Sequence, residues 1–460
     1  MADQLLEAPE RVLSTLNPDG SRRWIRPKSA MGKWWKRRRV VAWLLMILFT
    51  AVPWMRVSGK PVMLLDVVHR DFIFFGVTFQ PTEVTLLMLL MLGIFFGIFL
   101  ITSLLGRGWC GWACPQTVYL EFLYRPIERL IEGKGTGRAH KKVARWRVVL
   151  KYLIYLVFSL HLSNTFLSYF AGPQQVFEWS FGSPQEHMTP FLIVMFVTAL
   201  IMFDFVSFRE QMCTLVCPYA RLQSVLLDRD SLIIGYDEKR GEPRGKKRHH
   251  AQDQAQTGDC IDCGLCVAAC PTGIDIREGL QLECVACTQC IDACDAVMEK
   301  IERPVGLIRF ASQNTLAGLA HKVVRIRVVL YPLLLVVVFG AFLFGLNHRQ
   351  MGEAMFLRNQ NAVVVATPEG VVQTVILRID NRDDRAHTYQ MELGAGVEVL
   401  GAQFPVELEA YGSKTLNLPV RVAATAFANS RFQLQLSVYD DAEFRTDLHM
   451  TLFTPTNLHE

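Results

Sequence analysis

A chain of 460 residues that is 51% hydrophobic has room for several domains and is more typical of a membrane protein than of a soluble one. Its formal net charge of +5 is modest, so the positions of the charges are more informative than their sum. All 12 cysteines fall into four compact groups, which indicates metal ligation and argues against a disulfide framework.

The N-terminal 39 residues are polar and end in the basic run from Lys36 to Arg39. This segment differs from a cleaved signal peptide because its polar lead is long and no clear small-residue cleavage site follows. Five later segments are apolar, and each is close to the about 20 residues that cross a hydrocarbon core. We therefore predict transmembrane helices at about 40–57, 84–105, 148–170, 191–208 and 328–346.

The positions of lysine and arginine predict how these helices are oriented. The N-terminal tail, the loop after the second helix, the segment 239–248 and the lead into the fifth helix are basic, whereas 171–190 contains no lysine or arginine. This pattern places the N-terminus and the segment between helices four and five in the cytoplasm. The chain after helix five is then periplasmic, and the predicted location is the inner membrane of a bacterium.

Two units of the pattern Cys-x-x-x-Cys-Pro follow the second and fourth apolar segments, so the chain contains an internal repeat. Their cysteines are Cys110, Cys114, Cys213 and Cys217. The proline disfavours a helical backbone at the cysteine before it and is suited to the first turn of the next helix. Packing of the two repeats would bring four thiols together, and clustered thiolates select Cu(I), zinc or iron–sulfur. Four buried structural cysteines are the alternative.

The first of these units is followed by 116–131, which we predict to be an amphipathic helix along the membrane surface. Polar residues within the membrane helices are functional candidates, and His161 and Asp204 are two of them. A haem or copper ligand and a hydrogen-bonded structural histidine are both open for His161. The segment Gly133 to Gly137 resembles a nucleotide loop, but no strand precedes it, so we predict a flexible loop.

Eight cysteines lie in two runs with the spacing Cys-x-x-Cys-x-x-Cys-x-x-x-Cys. Two such runs form the bacterial two-cluster ferredoxin pattern, in which the fourth cysteine of each run ligates the other cluster. Zinc usually takes separated pairs of ligands, and disulfides need an oxidising compartment, so both alternatives fit less well. We predict two [4Fe-4S] clusters, one held by Cys260, Cys263, Cys266 and Cys294 and the other by Cys284, Cys287, Cys290 and Cys270.

The last 110 or so residues change character, because alternating segments such as 371–379 and 431–439 are strand signals. Turn-like clusters at 381–384 and 411–414 separate such segments. Several short strands in about 100 residues favour an immunoglobulin-like sandwich. The pair His449 and Met450 could suggest a copper site, but an ordinary surface pair is the better interpretation.

These features together resemble the cytochrome c oxidase accessory protein family, CcoG (also FixG or RdxA). The resemblance covers nearly the whole chain after about residue 35 and is carried by Gly108 to Thr117 and Cys213 to Arg221. It implies a role in the assembly of the cbb-type haem–copper oxidase, with reduction of Cu(II) to Cu(I) at Cys110, Cys114, Cys213 and Cys217. It also implies a copper transporter or chaperone and oxidase subunits as partners.

The spacing of the cysteines by itself predicts only electron transfer in a membrane. Since no Rossmann or flavin motif is present, the electrons must come from a cytoplasmic donor that the sequence does not identify. An electron-transfer subunit that feeds quinone or a periplasmic reductase is a second hypothesis. A non-enzymatic iron–sulfur scaffold or sensor is a third. Membrane lipid is an expected partner and nucleic acid is not.

The predicted fold is a multi-domain membrane protein: a five-helix α transmembrane bundle, an inserted α+β two-[4Fe-4S] ferredoxin domain and a C-terminal all-β immunoglobulin-like sandwich. The domain limits are 1–39 for the basic tail, 40–235 for four helices with the two repeats, 236–257 for a basic linker, 258–303 for the ferredoxin domain, 304–350 for a linker with the fifth helix, and 351–460 for the sandwich.

Overall fold

The computed structural model describes residues 14–15, 17, 21–57, 59–68, 71–79, 83–133, 143–245, 258–349, 352–357, 364–367, 370–383, 385–401, 404–427, 431–441 and 444–453. The chain divides into two compact units, Met1–Phe342 and Leu343–Glu460. The helices are α1 Lys33–Ala51, α2 Val84–Leu105, α3 Gly108–Trp112, α4 Pro115–Tyr119, α5 Arg125–Glu132, α6 Arg145–Ala171, α7 Pro173–Phe181, α8 Met188–Phe203, α9 Pro218–Leu226, α10 Glu238–Gly241, α11 Leu265–Ala269, α12 Gln289–Lys300, α13 Gln313–Leu316 and α14 Ile326–Asn347.

Within the described residues, four helical segments are long and apolar enough to cross a membrane. They are Val84–Leu105, Arg145–Ala171, Met188–Phe208 and Ile326–Asn347. These match the second to fifth predicted helices. In α2 only Leu86, Thr102 and Ser103 are buried, so most of its apolar surface faces outward. Such a surface is stable in hydrocarbon and costly in water.

The first predicted crossing, 40–57, is not among these four segments. Helix α1 begins earlier, at Lys33, and its apolar part runs only from Val40 to Ala51, which is about 18 Å of helix. The basic run occupies its first turns, and a 3₁₀ turn at Val52–Trp54 ends it. A bundle of five crossings therefore depends on α1 and remains a prediction.

Helices α4 and α5, which follow the first Cys-x-x-x-Cys-Pro unit, pack in a buried cluster with α1 and α6. Between α4 and α5 the chain continues through a π-helical turn, Leu120–Tyr124. Tyr124 is fully buried and its ring stacks on Phe205 at 4.2 Å between centroids. Tyr155 of α6 donates a hydrogen bond to the carbonyl of Tyr124 at 3.1 Å. The segment predicted as a surface helix is helical, but it packs among α1, α6 and the end of α8 because its apolar side chains need this burial.

Short strands complete the first unit. They are β1 Arg56–Val57, β2 Lys60–Pro61, β3 Met63–Asp66, β4 Asp71–Phe74, β5 Val77–Phe79, β6 Ile233–Tyr236 and β7 Ile308–Ala311. The antiparallel pair β6 and β7 shares one apolar core with α11 and α12. Two helices and a strand pair thus build the cysteine-rich module, and the two strands lie outside the predicted limits of 258–303.

The second unit consists mainly of antiparallel strands. They are β8 Gly352–Leu357, β9 Val364–Thr367, β10 Gly370–Asn381, β11 His387–Leu393, β12 Val397–Val399, β13 Val406–Leu408, β14 Ser413–Val422, β15 Arg431–Tyr439 and β16 Arg445–Phe453. One sheet has the order β12-β14-β10-β8 with β9 paired to β10, and the other has the order β13-β11-β15-β16. Alternate side chains of both sheets, such as Leu377, Leu418 and Leu434, form one buried core.

Candidate functional site

The eight cysteines of the module line two neighbouring cavities. The outer cavity, with about 350 Å³ of space, is lined by Cys260, Cys263, Cys266 and Cys294. The inner cavity, with about 330 Å³, is lined by Cys270, Cys284, Cys287 and Cys290, and Cys266 also reaches it. The fourth cysteine of each run therefore lies with the first three of the other run, as the two-cluster ferredoxin pattern predicts.

Each cavity is built around a loop with the same unusual backbone. Positive φ angles occur at Asp262 and Gly264 on either side of Cys263. They recur at Ala286 and Thr288 on either side of Cys287. Non-glycine residues rarely adopt this conformation, and such strain is concentrated at functional sites. The two runs thus fold as copies, and α11 and α12 each begin directly after the second left-handed residue.

The spacing of the sulfur atoms tests what these cavities can hold. Two thiolates bound to one zinc ion at about 2.3 Å each can be at most about 4.6 Å apart. Among the described residues, the one set of three ligand atoms within 4.8 Å of one another is His387, Asp440 and Asp441. The cysteine sets are more widely spaced, so they fit a multi-atom cluster better than a single ion.

Burial favours the protonated form of five thiols of the module. It raises the pKa of Cys266 and Cys284 to about 11, and that of Cys287 and Cys294 to about 12. The pKa of Cys290 is raised well above its ordinary value by the same cause. Since the ligands of a cluster are thiolates, cluster binding must displace these protons.

The four cysteines of the Cys-x-x-x-Cys-Pro units are placed by matching local structures. Cys114 and Cys217 both have extended backbones and directly precede α4 and α9, which begin at proline. Cys110 lies in α3, and Cys213 lies in a π-helical turn, Met212–Val216. The backbone effect predicted for the two prolines is thus present in both repeats.

These four thiols, which we name the thiol quartet, lie close enough to influence one another. Burial and, to a smaller extent, the other three cysteines raise the pKa of Cys213 to about 12. Burial also raises the pKa of Cys110 and Cys114, and Cys217 contributes to both. The folding of the two repeats therefore brings the thiol quartet to one place.

A buried glutamine supports the quartet and was not predicted from the sequence. The thiol of Cys110 donates to Oε1 of Gln223 at 2.9 Å. Nε2 of Gln223 donates to Tyr219 Oη at 2.6 Å and to Thr102 Oγ1 at 3.2 Å. Gln223 and Tyr219 lie on α9, one helical turn apart, so one face of this helix orients Cys110.

The thiol quartet touches the loop that lines the inner cavity. A Cβ atom at Gly111 would lie 2.5 Å from the carbonyl oxygen of Val285 and 2.7 Å from that of Ala286. Cys110 packs in one apolar cluster with Val285 and Cys287, and Cys213 packs against it. The backbone between Cys110 and Cys114 is thus in contact with the backbone between Cys284 and Cys287.

An arginine from the N-terminal basic run crosses this junction. Arg38 is 2% exposed. Its Nε donates to the carbonyl of Gly111 at 3.0 Å and its Nη1 donates to the carbonyl of Cys287 at 2.7 Å. The start of α1 is fixed to the module as well, because Asp292 accepts hydrogen bonds from the backbone of Trp34 at 3.0 Å and Trp35 at 2.7 Å.

Buried ion pairs connect the two repeats beside the quartet. Arg125 pairs with Glu121 at 2.6 Å in its own repeat and with Glu210 at 3.3 Å in the other. Gln116 donates to Asp204 at 3.1 Å, which places this predicted candidate next to the repeat junction. Removal of one member of such a buried pair leaves the other charge uncompensated, and this is strongly destabilising.

Two other sequence candidates are exposed side chains. His161 is exposed on the surface of α6, and His449 is exposed on β16. Only Gly133 of the segment 133–137 lies within the described residues. The roles of Arg38 and Asp292 were not predicted from the sequence, because a side chain that contacts a distant backbone leaves no spacing pattern.

Two protein-family models for iron–sulfur proteins match the chain. A 4Fe-4S dicluster domain matches residues 208–313, and a 4Fe-4S binding domain matches residues 87–134. Together these two ranges contain all 12 cysteines.

Relatives of known name match over longer stretches. Nitrogen fixation protein FixG of Rhizobium meliloti is 36% identical over 309 residues, which cover 65% of this chain and 59% of FixG. Protein RdxA of Cereibacter sphaeroides is 32% identical over 85% of this chain and 84% of its own length. Protein RdxB of the same organism is 30% identical over 93% of this chain and 95% of its own length.

The chain belongs to the FixG/RdxA family. The family resemblance drawn from the cysteine motifs is thereby confirmed. A member of the FixG/RdxA family with four membrane-competent helices and two matched 4Fe-4S domains is a membrane iron–sulfur protein of electron transfer. The match to FixG itself spans less than two thirds of FixG.

Proposed function

We propose that this protein takes electrons from a cytoplasmic donor and delivers them to the thiol quartet, where Cu(II) is reduced to Cu(I). The observation that carries the proposal is the backbone contact of Gly111 with Val285 and Ala286. This contact joins the quartet to the inner cavity without an intervening layer of protein. Each Cu(II) ion takes one electron, so the donor must supply one electron for each Cu(I) that leaves.

The two cavities support the predicted sets of cluster ligands. Cys260, Cys263, Cys266 and Cys294 hold one [4Fe-4S] cluster, and Cys284, Cys287, Cys290 and Cys270 hold the other. When bound, these clusters supply one-electron carriers. Cys263 is exposed, whereas Cys287 and Cys290 are buried. The outer cavity is therefore the side at which a cytoplasmic donor approaches.

The orientation in the inner membrane follows from the charges and from α1. Tyr169 near the end of α6 donates to the carbonyl of Phe49 near the end of α1 at 2.8 Å, and the two rings stack at 5.4 Å. Helix α1 thus extends as far along the bundle as α6, which supports a fifth crossing. The ferredoxin module is then cytoplasmic, and the C-terminal domain is an immunoglobulin-like domain in the periplasm.

Copper is proposed as the substrate because clustered thiolates bind soft Cu(I) in preference to harder ions. Membership of the FixG/RdxA family, with its resemblance to oxidase accessory proteins, adds the destination of the metal. Cu(I) passes from the thiol quartet to a copper transporter or chaperone and then to the cbb-type oxidase during its assembly. Oxidase subunits and membrane lipid are the corresponding partners.

The proposal is tested with a variant in which the four quartet cysteines are replaced by serine. The variant should keep its iron and sulfide but lose bound copper and the formation of Cu(I), which a Cu(I)-specific chelator detects. His161→Ala, on the exposed face of α6, is the matched control and should behave as wild type. Normal copper binding and reduction by the quadruple variant would show the proposal to be wrong.

A redox centre in the quartet is the second candidate, and two observations favour it. The other three cysteines act electrostatically on Cys213, so the four thiols form one group, and a 4Fe-4S binding domain matches the segment that contains Cys110 and Cys114. The protein would then pass electrons on to quinone or a periplasmic reductase. Purified protein should contain about eight iron atoms if two four-iron clusters are present and about twelve if there are three.

A further inference from the structure

The two cavities of the ferredoxin module have different electrostatic surroundings. Two buried guanidinium groups, those of Arg38 and Arg107, lie next to the inner cavity and donate to carbonyl oxygens. Arg38 donates to the carbonyl of Cys287 itself, and Arg107 donates to the carbonyl of Leu282. Arg107 is 5% exposed and lines a third cavity together with Cys284. Both cations therefore lie on the side from which the thiol quartet is reached.

Neither of these cations forms a direct ion pair with a carboxylate among the described residues. Glu121 and Glu210 share a cavity with Arg38, but both are engaged by Arg125. The hydrogen bonds of Arg38 go to backbone oxygens, and Nε of Arg107 lacks a partner. A buried cation without a carboxylate partner is costly, because its field is not cancelled and is poorly screened.

The outer cavity shows the opposite arrangement. The charged residue that lines it is Arg277. Its guanidinium group donates two hydrogen bonds to the carboxylate of Asp275, at 2.9 and 2.6 Å, and one to Asp262 at 2.5 Å. Asp295 follows Cys294 directly and accepts from the backbone of Gly306 at 2.9 Å. The charged groups beside this cavity are thus paired with one another, so their fields largely cancel.

Burial alone would make the inner cavity the poorer acceptor, since low dielectric disfavours the extra negative charge of a reduced centre. Two nearby cations act in the other direction. At an effective dielectric of about 20, the Coulomb interaction between one such cation and the added electron changes the equilibrium between the oxidised and reduced forms by about tenfold, as an order of magnitude. Loss of one guanidinium therefore gives a shift that a redox titration detects.

We propose that Arg38 and Arg107 are positioning residues that raise the reduction potential at the inner cavity, so that electrons move from the outer cavity toward the thiol quartet and not back. This inference rests on the proposed function, because the direction matters only if the clusters bind as assigned and the quartet is the acceptor. It adds a role for two residues that ligate nothing and belong to no cysteine motif.

The test is a redox titration of the iron–sulfur signals in the full-length holoprotein, without copper. In Arg38→Gln, the oxidised-to-reduced ratio of the signal that Cys287→Ser perturbs should change by about tenfold. This corresponds to a reduction potential that is lower by about 59 mV for one electron. The signal that Cys263→Ser perturbs should stay where it is. Arg107→Gln should give the same selective shift, and Arg38→Lys should retain most of the wild-type potential.

Iron and sulfide content shows whether each variant is loaded, so that loss of a cluster is not mistaken for a shift. Arg303→Gln, which removes a cation paired with Asp259 at 2.7 Å, is the control and should leave the inner signal unchanged. If fully loaded Arg38→Gln and Arg107→Gln both keep the wild-type potentials, the inference is wrong. Since no copper is present, this result would leave the proposed copper reduction intact.

Discussion

Gly111 and Val285 lie so close that a Cβ atom on Gly111 would be 2.5 Å from the carbonyl oxygen of Val285. Gly111 sits between the two cysteines of a membrane-proximal repeat, and Val285 sits between two cysteines of the ferredoxin module. A glycine at this position permits the two cysteine loops to touch through their backbones. The proposed delivery of electrons to the thiol quartet depends on this contact.

Gly111→Ala should separate the two loops, because the added Cβ would meet backbone atoms, which cannot move aside as a side chain would. We expect a loss of stability of about 1–3 kcal/mol and slower Cu(II) reduction with unchanged iron content. Thermal unfolding and single-turnover reduction measure the two effects. Gly97→Ala in α2 is the control, since a Cβ there has no neighbour within 4 Å. Wild-type rates in Gly111→Ala would contradict the role given to this contact.

Asp292→Ala should loosen the start of α1 from the ferredoxin module. The carboxylate of this 4% exposed residue accepts from the amides of Trp34 and Trp35 and so caps the helix. Loss of such a cap costs about 1–2 kcal/mol. Limited proteolysis should then cut near residue 30 more quickly than in wild type. Glu299→Ala, on the exposed side of the same helix, should not change the cleavage rate.

The crossed ligand sets predict which variants resemble each other. Cys294→Ser should perturb the same electron paramagnetic resonance signal as Cys263→Ser, although it lies in the second run. Cys270→Ser should perturb the same signal as Cys287→Ser. If Cys294→Ser instead affected the signal that Cys287→Ser affects, each run would hold its own cluster and the assignment would be wrong.

The C-terminal unit should carry a pH-dependent stability at His387. Its Nε2 lies 2.8 Å from Asp383 and its Nδ1 lies 2.9 Å from Asp441. Hydrogen bonds to Asp383 and then Asp441 raise the pKa of His387 above its ordinary value of 6.5. This stabilisation is fully present below the unfolded pKa and is lost as the pH rises through the higher folded pKa.

The pKa of Asp441 is lowered from 3.8 by the hydrogen bond with His387. Its contribution is therefore present above that value and is lost as the pH falls through the folded pKa. Thermal unfolding of the full chain should show greater stability of this unit between about pH 4 and 6.5 than at higher pH. His387→Gln should remove that difference, whereas the exposed His449→Gln should retain it. An unchanged pH profile in His387→Gln would argue against the ion pairs.

Much of the site follows from short-range sequence patterns. The apolar run 84–105 and the alternating run 431–439 give α2 and β15 with the predicted ends. Proline after Cys114 and Cys217 sets the backbone of both cysteines. The cysteine spacing predicts which four sulfurs share a cavity, because a short loop and a following helix restrict where each thiol can lie.

The rest depends on contacts between distant segments. The hydrogen bond from Arg38 to Cys287 joins residues that are 249 positions apart, and no local pattern marks the two as partners. The pairing of β6 with β7 adds strands on both sides of the predicted ferredoxin limits, since the module needs them to close its core. Helix α1 begins at Lys33, before the basic run, and ends at Ala51, so only its second part is apolar.

A single turnover without oxygen tests most directly whether Cu(II) is reduced at the thiol quartet by electrons from the clusters. The protein is reduced, excess reductant is removed, and Cu(II) is added while the absorbance of the iron–sulfur clusters and the Cu(I)–chelator complex are followed together. We expect the clusters to be reoxidised at the rate at which Cu(I) appears, with one Cu(I) for each electron. Both events should disappear when the thiol quartet is changed to serine. Reoxidation and Cu(I) formation at the wild-type rate in that variant would contradict copper reduction at the quartet.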